Sequence, residues 1–306
     1  MSIAASSLEP LGHNLHRPEC VLHQPCGTVH VPDWRGGITT LHPDGRQSTL
    51  LAVDGPPDLK PNGIALMDDG GFLIANLGEA GGVWAMDAAG HVTPFLTTLN
   101  GHPMPAANFV TQDAQGRTWI TVSTPRLPRQ QAWRRDVRDG FVVRVDTRGA
   151  VIVADGLHYT NEARVSPCGA WLYVVETFGQ RLIRMPLNDA GQPGPRETVA
   201  QFGDAIFPDG FAFDAEGGIW VTSLICNGLI RIHPDGGQQI MLMEDLPDHS
   251  APLAAAFAQG ALPANALGPI PGARLQHVTS IAFGGSDNRT AVIGTLHNDA
   301  IFRFAL

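Results

Sequence analysis

Residues 209–221 read DGFAFDAEGGIWV: a polar opening, a short apolar run, a turn and a second apolar run. In the turn, Asp214 can accept backbone hydrogen bonds and Gly217 can take the left-handed conformation that closes it. Two short apolar strands joined in this way form a β-hairpin. The same pattern recurs at three earlier places, in residues 62–75 (NGIALMDDGGFLIA), 108–121 (NFVTQDAQGRTWIT) and 161–174 (NEARVSPCGAWLYV).

The hairpin pattern is periodic along the chain. The opening residues of the four copies are separated by 46, 53 and 48 residues. A weaker fifth copy occupies residues 279–292, after a longer interval that must contain an insertion, and residues 19–51 supply one more unit. Further short strands follow the hairpins, at residues 82–86, 141–145, 181–185, 229–232 and 300–304.

A repeat of about 45 to 50 residues with about four strands is typical of a propeller blade. The sequence therefore predicts an all-β fold, a six-bladed β-propeller with a central metal site. We expect the first residues to add a strand to the last blade and so close the ring, which would remove an exposed sheet edge. No linker-like tract divides residues 1–306, which we expect to form one domain.

Composition and charge exclude several classes of partner. The net charge of −9 argues against nucleic acid or an anionic membrane surface. No stretch approaches the roughly 18 apolar residues of a membrane helix, and the N-terminal sequence lacks the basic and apolar regions of a signal peptide. We therefore expect a cytoplasmic protein, while the oligomeric state is not indicated. The four cysteines lack the CxxC spacing of a zinc site: Cys20, Cys26, Cys168 and Cys226.

A polar residue opens each inner strand of the predicted propeller. Because equivalent inner strands line the central channel, these residues should ring its mouth at similar height. The predicted ring consists of Glu19, Asn62, Asn108, Asn161 and Asp209. Carboxylate and amide oxygens without thiolates form a hard site for one divalent cation, which favours Ca²⁺ and leaves Mg²⁺, Mn²⁺ and Zn²⁺ as alternatives.

Two of these residues lie in motifs that resemble a known family. Pro18-Glu19-Cys20 and, most sharply, Phe207-Pro208-Asp209-Gly210 are similar to the family of senescence marker protein, gluconolactonase and luciferin-regenerating enzyme, and the resemblance covers nearly the whole chain. It implies a six-bladed propeller with one catalytic divalent cation. It further implies that Glu19, Asn161 and Asp209 bind the metal and that Asn108 reaches the metal or the substrate.

The chain departs from the family pattern beside two of these residues. Sugar lactonases of the family often have an Arg and an Asp at the positions of Ala106 and Phe109, so the departure weakens a prediction of a polyhydroxylated aldonolactone as substrate. Glu162 stands where the family usually has Gly. We assign four candidate substrate contacts: Asn62, Asn108, Phe109 and Glu162.

The predicted chemistry is hydrolysis of a small lactone or ester. A bound dication polarises a carbonyl and lowers the pKa of water. Asp209 is the candidate catalytic carboxylate, as general base or purely as ligand, and Asn108 is the second catalytic candidate because an amide can stabilise an oxyanion. The alternatives are organophosphate or aryl ester hydrolysis, an isomerase or lyase reaction, and a non-catalytic binding propeller.

Two insertions are predicted to shape the channel mouth. Residues 123–139 contain five arginines and one tryptophan and are predicted to form a lid, which suggests a substrate with a carboxylate or a flat ring. Residues 247–277 contain an Ala-rich segment, 251–261, with the composition of a short helix. Three histidines near predicted strand ends are candidate proton shuttles: His158, His277 and His297.

Overall fold

The computed structural model describes residues 2–286 and 288–306. Met1 and Asp287, the latter within the fifth repeat copy, lie outside the described residues. Six four-stranded antiparallel sheets follow one another along the chain. The prediction of a six-bladed β-propeller is confirmed.

The strands of the six blades follow chain order. β1 (Glu9–Leu11) precedes the first blade, which contains β2 (Leu22–His23), β3 (Val29–Asp33), β4 (Gly37–Leu41) and β5 (Gln47–Leu51). The second blade contains β6 (Pro61–Leu66), β7 (Phe72–Asn76), β8 (Val83–Met86) and β9 (Val92–Leu96), and a small hairpin follows, β10 (Thr98–Leu99) and β11 (His102–Pro103). The third contains β12 (Phe109–Gln112), β13 (Thr118–Val122), β14 (Gly140–Asp146) and β15 (Gly149–Leu157).

The remaining three blades complete the ring. The fourth contains β16 (Thr160–Val165), β17 (Trp171–Glu176), β18 (Arg181–Pro186) and β19 (Glu197–Gln201). The fifth contains β20 (Pro208–Phe213), β21 (Ile219–Ser223), β22 (Gly228–Ile232) and β23 (Gln238–Met243), and is followed by helix α1 (Pro247–Ala258). The sixth contains β24 (Val278–Gly284), β25 (Thr290–Thr295) and β26 (Ile301–Ala305).

The ring is closed by the two ends of the chain. β1 pairs antiparallel with β26, with Glu9 opposite Arg303 and Leu11 opposite Ile301. The sixth sheet therefore has four strands, in the order β1, β26, β25 and β24. This arrangement confirms the prediction that the first residues complete the last blade, and it covers the edge of β26 that would otherwise be open to pairing with another chain.

The repeat turn of the fifth blade is held by its Asp. In the fifth blade, Asp214 Oδ1 accepts hydrogen bonds from the backbone N–H groups of Glu216 (2.9 Å) and Gly218 (2.7 Å), and Gly217 has a φ of +81°. The other carboxylate oxygen of Asp214 accepts from Trp220 Nε1 at 3.0 Å. One side chain thus fixes both the turn and the return strand, which explains why the pattern could be read from the sequence.

Apolar side chains fill the space between neighbouring blades. For example, Leu73 and Ala75 of β7 belong to the same buried cluster as Val110, Ile120 and Val122 of the third blade. Burial of the inner faces of the sheets holds the blades together around the central channel. Among the described residues, no helix is long and apolar enough to cross a membrane.

The predicted Ala-rich helix is present but shifted. α1 runs from Pro247 to Ala258, whereas the sequence indicated residues 251–261. Pro247 stands at the start of the helix, where its missing N–H costs nothing. The Ala composition indicated the helix, and Pro247 lies in its first turn, four residues before the predicted start.

Candidate active site

The predicted ring residues occupy irregular positions at the start of inner strands. The register between β16 and β17 shifts between Thr160 and Ala163, and that between β20 and β21 shifts between Pro208 and Phe211. Asn161 and Asp209 lie inside these two bulges, and Asn62 lies inside the corresponding shift of β6. Because a bulge re-aims a side chain, the same backbone irregularity turns each of these polar groups towards the axis.

The amide side chains form a directed chain that ends at a carboxylate. Asn62 Nδ2 donates to Asn108 Oδ1 (3.1 Å), and Asn108 Nδ2 donates to Asn161 Oδ1 (2.6 Å). Asn161 Nδ2 donates to Asp209 Oδ1. The residues come from four consecutive blades and are all buried, so each orients the next across a blade junction.

Glu19 enters the site from the first blade. Its carboxylate forms an ion pair with Arg17 (Nη2 to Oε2, 2.8 Å), and the Arg17 guanidinium lies 4.2 Å from the centroid of the Trp34 ring. The backbone of Glu19 is held by Thr279, whose hydroxyl donates to its carbonyl at 2.6 Å. A Cβ on Gly294 would lie 2.6 Å from that carbonyl oxygen, so glycine is required for the close approach.

Negative charge is concentrated at the axis. Burial, and then the charges of Glu19 and Glu162, raise the pKa of Asp209 well above its ordinary value, while Arg17 and the hydrogen bond from Asn161 act in the opposite direction. Buried carboxylates that repel one another are stabilised by a proton or by a cation. Either a proton or a cation would therefore relieve the repulsion between the carboxylates at the axis.

The donor set fits a hard divalent cation. Two buried carboxylates and neighbouring amides offer oxygen atoms of the kind that such a cation prefers, and Asn62 Oδ1 is buried without a hydrogen-bond partner among the described residues. Within the same part of the chain, no group of three or more His, Cys, Asp or Glu side chains could hold a metal. Any cation here would depend on the asparagines as well as on Glu19 and Asp209.

A cavity of about 530 Å³ opens above these residues. Its floor contains Glu19, Asn108, Asn161 and Asp209. Its walls combine cationic, aromatic and aliphatic side chains from the blades and the two insertions: Arg17, Trp34, Leu77, Arg129, Gln130, Trp133, Tyr159, Thr177, Phe178, Leu224, Ala264, Asn265, Leu267, Gly268 and Leu296. The volume is that of a site for a small molecule.

The two predicted insertions meet beside this cavity. The backbone N–H of Leu262 donates to the carbonyl of Trp133 at 2.9 Å, and Arg134 pairs with Ala261 in an isolated bridge. Trp133 also packs in a cluster with Phe178, Phe207 and Phe257. Residues 123–139 and the segment after α1 thus form one joined wall of the cavity.

Comparison of the sequence with known proteins identifies a family. The profile of the SMP-30/Gluconolactonase/LRE-like region matches residues 29–261, about three quarters of the chain.

The chain belongs to this SMP-30/gluconolactonase family.

Individual proteins extend the comparison. A 6-deoxy-6-sulfogluconolactonase of Pseudomonas putida is 29% identical over 294 residues, which cover 90% of this chain and 85% of that protein. A gluconolactonase structure from Xanthomonas campestris has a TM-score of 0.70 at 19% identity and covers 98% of this chain and 90% of that one. A calcium-binding regucalcin structure from Agrobacterium tumefaciens has a TM-score of 0.68 at 21% identity, with coverage of 96% and 90%. The two structures show the shared fold.

Three of the candidate substrate contacts do not line the cavity. Asn62, Phe109 and Glu162 lie at a separate void of about 10 Å³ beneath the ring. Phe109 is buried in the core between the first three blades, and Glu162 is paired with Arg164 (2.8 Å). Since neighbouring residues of a strand point to opposite sides, the residues after Asn108 and Asn161 turn away from the cavity.

Glu162 instead ties three blades together. Its carboxylate accepts hydrogen bonds from Ser280 Oγ (3.2 Å) and from the backbone N–H of Phe211 (3.3 Å), besides those from Arg164. A Cβ on Gly210 would lie 2.6 Å from Glu162 Oε1, so the carboxylate fills space beside the Asp209 backbone. These contacts place Glu162 behind the ring as a support.

The candidate histidines also lie outside the cavity lining. His277 is fully buried, and its ring nitrogens lie 2.8 Å from the carbonyl of Gly268 and 3.2 Å from that of Leu224. Burial lowers the pKa of His277 to about 4. His297 Nε2 lies 2.7 Å from the carbonyl of Leu267. These two histidines support the cavity wall at residues 267–268. The backbone N–H of His158 donates a hydrogen bond to the carboxylate of Glu176.

Several cavity residues were missed by sequence reasoning. Arg17 lies two positions before Glu19, close enough to be suspected, but its pairing with Glu19 depends on a backbone with a φ of +53°. Trp34, Tyr159 and Phe178 lie in connections between strands and carry no repeat signal. Of the five arginines in residues 123–139, Arg129 lines the cavity.

Proposed function

We propose that the protein is a divalent-metal-dependent lactonase that uses water to open a small, sugar-derived lactone. The observation that carries the proposal is the pair of buried carboxylates, Glu19 and Asp209, beside two asparagines on the floor of a cavity of about 530 Å³. The name of the Pseudomonas putida relative, a sulfogluconolactonase, supports a lactone as substrate. The description of the Agrobacterium tumefaciens neighbour as calcium-binding supports Ca²⁺.

Three residues would hold the cation: Glu19, Asn161 and Asp209. Oxygen ligands of this kind suit Ca²⁺ best, with Mg²⁺ and Mn²⁺ as alternatives. In the part of the chain that the structure describes, no thiolate or imidazole lies on the floor of the cavity, which argues against Zn²⁺. When bound, such a cation polarises the ester carbonyl and lowers the pKa of water.

The protein residues then have separate tasks. Asp209, on the cavity floor, accepts a proton as the oxygen of water bonds to the carbonyl carbon of the lactone. The ring C–O bond breaks, and the proton passes to the departing alkoxide, so that a hydroxy acid is released. Asn108 lies on the cavity floor, where its amide can orient the substrate and stabilise negative charge on the carbonyl oxygen.

A hydrolysis screen tests this proposal. Metal-free protein and protein with Ca²⁺, Mn²⁺ or Zn²⁺ restored would be assayed with a pH indicator on aldonolactones, γ-butyrolactones, acyl-homoserine lactones and aryl lactones. We expect turnover only with a cation, and its loss in Asp209→Asn. The matched control is Asp155→Asn, because the Asp155 side chain on β15 is 86% exposed. Absence of lactone turnover from protein that binds a cation would contradict the proposal, and turnover of aryl phosphotriesters instead would favour organophosphate hydrolysis.

A further inference from the structure

Three buried hydrogen-bond donors on the cavity wall have no partner among the described residues. They are Arg129 Nε, Trp133 Nε1 and Trp34 Nε1. Buried polar groups in native proteins are nearly always paired. On this wall, each unpartnered buried polar atom of the described chain is a donor. With the Arg129 guanidinium, they make this part of the wall rich in hydrogen-bond donors.

Arg129 also carries a positive charge that the protein does not neutralise. Its Nη2 lies 3.1 Å from Ser123 Oγ and 3.4 Å from Asn108 Oδ1, and its guanidinium lies 5.6 Å from the centroid of the Tyr159 ring. All of these partners are uncharged, and among the described residues no carboxylate pairs with Arg129. A half-buried guanidinium with a free donor is a site for an oxyanion.

The other arginine that lines the cavity is already paired. Arg17 is bound to Glu19 at 2.8 Å. Within the same insertion as Arg129, Arg126 pairs with Asp139 at 2.6 Å, and Arg134 pairs with Asp136 at 2.9 Å. Arg135 and Arg138 of this insertion do not line the cavity. The whole chain has a net charge of −9, so its overall electrostatic field does not attract an anionic ligand. Binding of such a ligand therefore depends on local positive charge. Arg129 is the group that supplies it.

We propose that the lactone substrate carries an oxyanion group, of the sulfonate or phosphate kind, and that Arg129 is the residue that binds it, with Trp133 Nε1 as a second donor. The inference rests on the proposed lactonase function and adds the charge class of the substrate and the residue that recognises it. Arg129 and Trp133 are four positions apart at the two ends of one short turn on the cavity wall. The anion would thus be held by the insertion, while the ester lies over the floor.

Three lactones that differ at one carbon test the inference. They are the uncharged glucono-1,5-lactone, its 6-deoxy-6-sulfo analogue and its 6-phosphate. We expect kcat/KM for at least one charged lactone to exceed that of the uncharged one by about 10- to 100-fold, the range expected for a hydrogen bond to a charged group. Comparison of the two charged lactones distinguishes a sulfonate site from a phosphate site.

Substitution of Arg129 separates anion recognition from a general role in catalysis. Arg129→Gln should raise KM for the preferred charged lactone by about 10- to 100-fold and affect the uncharged lactone much less, so that the preference for the charged lactone is lost. Arg129→Lys, which keeps the charge but not the fork of donors, should recover part of the loss. The matched control is Arg126→Gln in the same insertion, which should leave both KM values unchanged.

Two results would overturn the inference while leaving the lactonase proposal intact. One is a preference of the wild-type protein for the uncharged lactone. The other is an equal fall of kcat for charged and uncharged lactones in Arg129→Gln, which would place the guanidinium at the carbonyl rather than at an anionic substituent.

If no lactone is hydrolysed, a binding measurement tests whether Arg129 binds an anionic group. Gluconate and its 6-deoxy-6-sulfo and 6-phospho analogues would be titrated calorimetrically into cation-loaded protein. Tighter binding of a charged analogue that is lost in Arg129→Gln would support the inference even as the lactonase proposal failed. Equal binding of all three acids would contradict it.

Discussion

Asn161 Nδ2 donates a hydrogen bond to Asp209 Oδ1 across the junction between the fourth and fifth blades. The same amide accepts a hydrogen bond from Asn108 Nδ2 at 2.6 Å, so one side chain connects three blades. Asn161 is 6% exposed and Asp209 is 4% exposed, which leaves both with few other partners. The position of the Asp209 carboxylate is therefore set by the neighbouring blade as much as by its own strand.

The raised pKa of Asp209 predicts how the stability of the metal-free protein depends on pH. Between the ordinary and the raised pKa, the folded protein keeps a proton that the unfolded chain has released, so the free energy of unfolding falls as pH rises through this window. Asp209→Asn removes this proton linkage. We expect metal-free Asp209→Asn to unfold at a higher temperature than metal-free wild type near neutral pH, with a flatter pH profile.

Calorimetric unfolding in excess chelator, from acidic to neutral pH, checks this prediction. A bound cation should raise the unfolding temperature of the wild type but not that of the variant. A variant that is less stable than the wild type at every pH would show that Asp209 contributes a net stabilising interaction without any cation.

Removal of the Glu162 side chain should strongly destabilise the fold and have little effect on substrate binding. Glu162→Ala removes the partner of the half-buried Arg164 and the acceptor of the Phe211 N–H, so we expect the free energy of unfolding to fall by about 3 kcal/mol. KM should stay within about twofold because Glu162 does not line the cavity.

Urea denaturation measures that stability change. Glu216→Ala is the matched control, since Glu216 is 80% exposed in its pairing with Arg231, and exposed pairs contribute at most about 1 kcal/mol. A rise in KM without loss of stability would instead restore Glu162 as a substrate contact.

The packing of Phe257 on α1 leads to a prediction about the cavity wall that the two insertions form. We expect this wall to loosen in a Phe257 variant while the blades stay folded. The Phe257 ring is 1% exposed and packs 5.0 Å from the ring of Phe207 and 5.6 Å from that of Phe178, between centroids. Truncation to Ala removes contacts worth about 3 kcal/mol. We expect Phe257→Ala to raise KM and to speed amide hydrogen exchange in residues 246–268, with the blade strands unaffected.

The control for this experiment is Phe95→Ala on β9, because Phe95 is 38% exposed. Uniformly faster exchange throughout the blades in Phe257→Ala would mean that α1 is part of the cooperative core rather than a separable wall.

The blades could be predicted because their signals are local. The turn of residues 113–116 repeats that of residues 214–217, and in both hairpins a tryptophan indole donates to the turn Asp, at 2.8 Å for Trp119 and 3.0 Å for Trp220. The ring of asparagines followed from the same repeat, since equivalent positions of equivalent strands meet at the axis.

The cavity wall could not be predicted because it depends on contacts between distant parts of the chain. The pairing of Trp133 with Leu262 joins segments more than 120 residues apart, and no repeat marks either of them. Phe109 and Glu162 illustrate a different limit. The sequence placed them next to residues that line the cavity, Asn108 and Asn161. The alternation of side chains along a strand and the bulge beside Asn161 decide which of two neighbours faces the cavity.

A calcium titration of metal-free protein tests the central claim most directly. Release of acid from the best lactone substrate would be followed while Ca²⁺ is added, with bound ion measured on the same samples. The account predicts negligible hydrolysis without the cation and a rise that saturates when one ion is bound per chain. Full hydrolysis by protein that retains no bound metal in excess chelator would contradict it.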